Sequence, residues 1–216
     1  MGAGKTWHGK TVTRHTVVLA VVAWGLAIGL GLIAMGRYET TPGAAATAPR
    51  KWPDGTSLVR RDDRPTLVMI AHPRCPCTRA SIAQLTELMA SAVQPAAVYV
   101  VFCAPPHADP SWYEGDSLAD AAAIPGVTVV RDEGGVESHR FGVSTSGEVL
   151  AFNEAGALVF VGGITAGRGH VGKSPGANAV AAILRRRLTA VRQTPVFGCD
   201  LFAPTKCPLC ADKEAP

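Results

Sequence analysis

The chain has 216 residues, 47% hydrophobic and only 18% charged, with a formal net charge of +4. It is long enough for one membrane segment and one ordinary domain, and too apolar to be largely disordered. Lys5, Lys10 and Arg14 carry the positive excess at the N-terminus, and from Arg37 onward the charges all but cancel. A nucleic-acid-binding domain needs a basic face, so nucleic acid is not an expected partner.

Thr16 to Gly36 is an uninterrupted run of 21 residues without an ionisable side chain. As a helix it would be about 31 Å long, enough to cross a bilayer. The preceding cations place residues 1–15 in the cytoplasm and the C-terminal domain outside it by the positive-inside rule. A cleaved signal peptide has a shorter apolar region, so 16–36 is read as an uncleaved signal anchor in the cell membrane. Residues 37–56, rich in Thr, Ala and Pro, read as a linker.

A domain is expected over 57–195. Thr66 to Ala71 is a continuous apolar run suited to a strand covered on both faces. The loop His72-Pro73-Arg74-Cys75-Pro76-Cys77 follows, and Arg79 to Val93 has apolar residues at helical spacing. Ala97 to Cys103 and Gly126 to Arg131 are further strands. Glu148 to Phe152 and Ala157 to Val161 flank Asn153-Glu154-Ala155-Gly156, a hairpin signal. Ala177 to Val191 is a closing helix, with Arg185, Arg186, Arg187 and Arg192 near its negative end. The order fits an α/β sheet with helices on both sides.

All six cysteines lie beyond the apolar run, where the expected topology is oxidising. Cys75 and Cys77 stand where a strand gives way to a helix, and a helix N-terminus lowers a thiol pKa. Arg74 adds positive charge, Pro76 stiffens the backbone between the sulfurs, and His72 is a candidate proton carrier. A disulfide between residues one apart closes almost no chain, so a purely structural role explains the pair poorly.

The strand TLVMIA, the loop HPRCPC, the helix and the hairpin VLAFNEAGALVFVGG resemble the thioredoxin-like superfamily over Thr66 to Val191. The C-P-C loop and the stretch GGIT…RGH resemble its RedB-type members. The resemblance implies a thioredoxin-like sheet flanked by helices and thiol–disulfide exchange with protein thiols or disulfides, without a cofactor. Cys75 would attack from the exposed end of the loop and Cys77 resolve. It also implies a substrate-gripping loop, Ser144-Thr145-Ser146-Gly147, with Gly147 where the family carries a cis-proline. Its usual pair is C-x-x-C, not C-x-C.

The rival reading is a copper(I) carrier or assembly factor for a membrane respiratory complex, with ligands from His72, Cys75, Cys77, His139 and His170, since soft sulfur ligands suit Cu(I). The glycine-rich stretch Gly162 to Gly172 is read as a connection beside the cysteine site. Residues 196–216 form a cysteine-containing tail, in which Cys199 is expected to pair with Cys207 or Cys210. Cys103 is expected to be an inert core thiol.

Overall fold

The computed structural model describes residues 14–92 and 96–202. Two units separate at Tyr38 and Glu39. The first is carried by helix α1, Arg14–Thr40, the one helix among the described residues that is long and apolar enough to cross a membrane, with a mean hydropathy of 2.6. That judgement rests on length and composition. No side chain of α1 is buried within the protein.

The second unit is built on a five-stranded sheet in the order β3-β2-β1-β4-β5. Strand β1, Thr66–Ala71, lies at its centre and is buried along its whole length. It pairs in parallel with β2, Ala97–Ala104, and β2 pairs in parallel with β3, Val127–Glu133. On its other side β1 pairs antiparallel with β4, Glu148–Phe152, which forms a hairpin with β5, Leu158–Gly163. Gly156, with φ of +76°, supplies the left-handed residue of the hairpin turn, and the Asn153 side chain accepts from Ala157 N–H.

Alternation along β1 divides the core. Leu67, Met69 and Ala71 face one cluster with Ile82, Leu85 and Leu88 of α2 (Pro76–Ala90), Ala121 of α3 (Asp116–Ala122), and Val180 and Ile183 of α5 (Pro175–Leu184). Burying each large aliphatic of α2 contributes about 2 kcal/mol. Val68 and Ile70 face the opposite cluster with Phe141, Leu150 and Phe152. Phe141 follows the short helix α4, Val136–Arg140.

Residues 41–56, read from the sequence as part of a linker, are laid along the domain. Gly43 N–H donates to Val196, Thr47 N–H to Gly142 and Trp52 N–H to Gly156, each at 2.8 Å. The Trp52 ring meets Phe141 and Phe152 edge-on at centroid distances of 5.3 and 5.1 Å. The segment shows no apolar period because it is held by backbone hydrogen bonds, the Trp52 indole and the small side chains of Ala46 and Ala48. Helix α5 is also shorter than its pattern. It stops at Leu184 because Arg186 turns left-handed, at φ of +54°, and Arg187 N–H caps the Ala182 carbonyl.

Candidate functional site

The site begins where β1 ends. Ser146 Oγ accepts from His72 N–H at 2.9 Å and lies 2.7 Å from Thr78 Oγ1, whose hydroxyl donates to the His72 carbonyl. Cys75 N–H donates to the same carbonyl, and the Cys75 carbonyl accepts from Thr78 N–H. The loop therefore closes on itself, with Cys75 as the N-cap residue of α2 and Pro76 at its first position, where a proline costs no hydrogen bond.

Neither cysteine of the pair is at the surface. Cys75 is 2% exposed and Cys77 6%. Cys75 was expected at the open end of the loop, but the C-terminal segment covers it. Cys75 Sγ lies 2.8 Å from Cys199 Sγ, and both are free cysteines. The expected Cys199 partners, Cys207 and Cys210, lie outside the described residues.

Three thiols share one site, and their proton affinities diverge. The Cys199 thiol, then the Cys77 thiol, hydrogen-bond to Cys75 and hold its pKa far below that of a free thiol, with Thr78 N–H assisting against burial. The Cys199 pKa is driven upward by Cys75 first and Cys77 second. At Cys77 the Cys199 contact pulls downward, but Cys75 and burial outweigh it and the pKa ends raised, with an Arg168 hydrogen bond opposing the rise. Of the three thiols, Cys75 is the one favoured to ionise.

The expected helpers are placed differently. Arg74 lays its guanidinium over the Trp112 ring, 4.3 Å from the centroid, while its N–H donates to His72 Nδ1. Burial lowers the His72 pKa, against the pull of the Cys75 charge. The imidazole is a neutral acceptor whose ring also meets Trp112 edge-on. Gly147 has φ of +88° and donates to the Ile70 carbonyl, and a Cβ there would stand 2.7 Å from Ser81 Oγ. No cis peptide bond occurs among the described residues.

The five-residue copper set is not brought together. His139 stacks on Phe202 at 3.9 Å, and His170 Nδ1 lies 2.8 Å from the Arg168 carbonyl oxygen. Among the described residues no group of three or more His, Cys, Asp or Glu is arranged to hold a metal ion. Cys103 is a buried thiol whose pKa burial pushes up to about 11. The glycine-rich connection does lie beside the cysteines, and it supplies Arg168. That residue bonds Cys77 and donates from Nη1 to the Gly198 carbonyl at 2.6 Å.

Sequence reasoning missed Cys199, Arg168 and Trp112 as members of the site. The RGH stretch drew notice to Arg168, and Ser146 belongs to the loop that the resemblance assigned to substrate binding. For Cys199 the partner is 124 residues away, and no local pattern reports it.

No family model matches the sequence. No curated protein matches it either. Among solved structures, a hypothetical protein from Sinorhizobium meliloti 1021 superposes with a TM-score of 0.55 at 21% identity, covering 76% of this chain and 96% of its own. An uncharacterized conserved protein from Geobacillus kaustophilus gives 0.55 at 16% identity, covering 77% and 94%. Parallel β1 and β2, the antiparallel β4–β5 hairpin on the other side of β1 and a cysteine loop between β1 and α2 decide the architecture. The domain has a thioredoxin-like fold. A secreted disulfide oxidoreductase of Mycobacterium tuberculosis, homologous to E. coli DsbE, aligns at a TM-score of 0.42 and 12% identity over 58% of this chain and 83% of its own.

Proposed function

We propose that this thioredoxin-like domain is a thiol–disulfide oxidoreductase held at a membrane by α1, with its cysteines on the extracytoplasmic side. The observation that carries the reading is the state of Cys75. It sits at the N-terminus of α2, two other thiols lie against it, and its pKa is depressed. A thiolate is the species that attacks a disulfide, and a neighbouring thiol is what resolves the mixed disulfide. Cys75 attacks, and Cys77 and Cys199 are the candidate resolving groups.

His72 and Thr78 fix the loop, and the Trp112 ring packs against His72 and Arg74. The three lone cations before the apolar run support the orientation. The protein partners are those carrying accessible cysteines. The test is catalysis of insulin disulfide reduction by dithiothreitol, with the purified full chain in detergent. Wild-type protein should accelerate it, and Cys75→Ser should return the rate to the uncatalysed value. Acceleration that survives Cys75→Ser, or none from the wild type, overturns the proposal.

A further inference from the structure

The segment that covers Cys75 is bound as an extended peptide would be. Cys199 carbonyl accepts from Ser146 N–H at 2.8 Å, and Leu201 N–H donates to the Ser144 carbonyl at 2.8 Å. Thr145 and Asp200 form an antiparallel bridge. This is strand addition to the backbone just before β4, the way extended peptides are recognised at an open edge. Side chains on either side of the pairing secure it. Leu201 packs against the second core cluster, and Phe202 stacks on His139.

Gly198 shows how closely the segment is pressed down. A Cβ at that position would stand 1.8 Å from the Ser146 carbonyl oxygen, so a side chain there forces the two backbones apart. Arg168 clamps the Gly198 carbonyl from the other side. The outcome of this docking is that Cys199 is laid against the cysteine loop, its Sγ 2.8 Å from Cys75 Sγ and also in contact with Cys77. Cys77 also lies within hydrogen-bonding reach of Cys75, but a disulfide between these two residues would close a small, geometrically demanding ring.

We infer that residues 196–202 are an internal substrate: Cys199, not Cys77, exchanges with Cys75, and an external cysteine-bearing peptide gains access by displacing this segment from Ser144 and Ser146. The inference rests on the thiol-exchange reading above and names its resolving residue. In the reductive direction, the Cys75 thiolate attacks one sulfur of a partner disulfide. A Cys75–partner bond forms, and the partner's other sulfur leaves as a thiolate that takes up a proton. The returning segment brings Cys199, whose thiol loses its proton and attacks Cys75 Sγ. The Cys75–Cys199 bond forms, the partner's remaining sulfur leaves and is protonated, and the pair of electrons has passed from the two protein thiols to the partner. The same pairing groups serve both occupants, so release of the partner and resolution of the intermediate are one event.

The experiment uses the full chain in detergent, equilibrated in glutathione buffers, alkylated and digested with trypsin without reduction. Cleavage at arginine and lysine leaves Cys75 and Cys77 together in residues 75–79, Cys199 in 193–206, and Cys207 with Cys210 in a third peptide. The oxidised protein should yield 75–79 linked to 193–206. Gly198→Val should abolish that link while raising the alkylation rate of Cys75 in the reduced protein at least about tenfold, since a covered thiol reacts only in the fraction of molecules that are open. A 75–79 peptide closed on itself with no link to 193–206 overturns the inference and leaves the oxidoreductase reading standing. Unchanged Cys75 alkylation in Gly198→Val overturns the gating. A Cys75 that remains a thiol in every buffer removes the oxidoreductase reading itself.

Discussion

Replacing Cys199 by Ala should raise the pKa of Cys75 in the reduced protein. The Cys199 thiol is the foremost of the groups that hold Cys75 down, and Cys75 is 2% exposed, so water does little to screen the loss. A hydrogen bond to a charged acceptor contributes about 1.5–3 kcal/mol. A thiol is a weak donor, which selects the lower end, about 1.5 kcal/mol and hence about one pKa unit. The assay is the pH profile of Cys75 carboxamidomethylation, read by fragmentation of the peptide 75–79. The midpoint in Cys199→Ala should lie about one unit above that of the wild type. In Cys199→Ser, where a hydroxyl can donate in place of the thiol, most of the rise should be absent. A midpoint that stays put or falls in Cys199→Ala would refute the claim that the tail thiol stabilises the thiolate.

Arg168→Met removes the clamp on Gly198 and a donor to Cys77. Cys75 in the reduced protein should then be alkylated several-fold faster, and an unchanged rate would show that the clamp holds nothing. Glu148 is buried, and desolvation pushes its pKa up to about 7 despite an Ala46 N–H donor. A raised carboxyl favours the fold below its unfolded pKa and loses that benefit as pH rises through about 7, a change of up to about 3 kcal/mol. Melting curves of Glu148→Gln should therefore gain on the wild type between pH 5 and 8, whereas parallel pH profiles would contradict the shift. Trp52→Ala should cost about 2–4 kcal/mol by removing the ring that packs on Phe141 and Phe152, measured as a lower unfolding midpoint. No change would mean that residues 41–56 add little to the fold.

The sheet was largely legible because its signals are local. β1 and β4 have the bounds their apolar runs predict, and Asn153 and Gly156 mark the turn of the hairpin. The helices were harder to delimit. α5 keeps its apolar pattern past Leu184, and only the left-handed Arg186 ends it. The helices α3 and α4 have seven and five residues, too short to display a period. The site was legible as a cysteine pair on a strand-to-helix junction and illegible as a cluster. What joins Cys199 to Cys75 is backbone pairing across the length of the domain, which leaves no spacing to read. Gly198 permits the close approach, but in the sequence a lone glycine does not name what approaches it.

The central claim is that Cys75 exchanges disulfides, and a redox titration of the full chain tests it most directly. Protein in detergent is equilibrated across glutathione buffers of graded potential, quenched with acid, denatured and alkylated, and the oxidation of Cys75 is read by mass. The account predicts a reversible two-electron transition of Cys75 that Cys199→Ser displaces or abolishes. A Cys75 that stays fully reduced, or fully oxidised, across the whole series would contradict it.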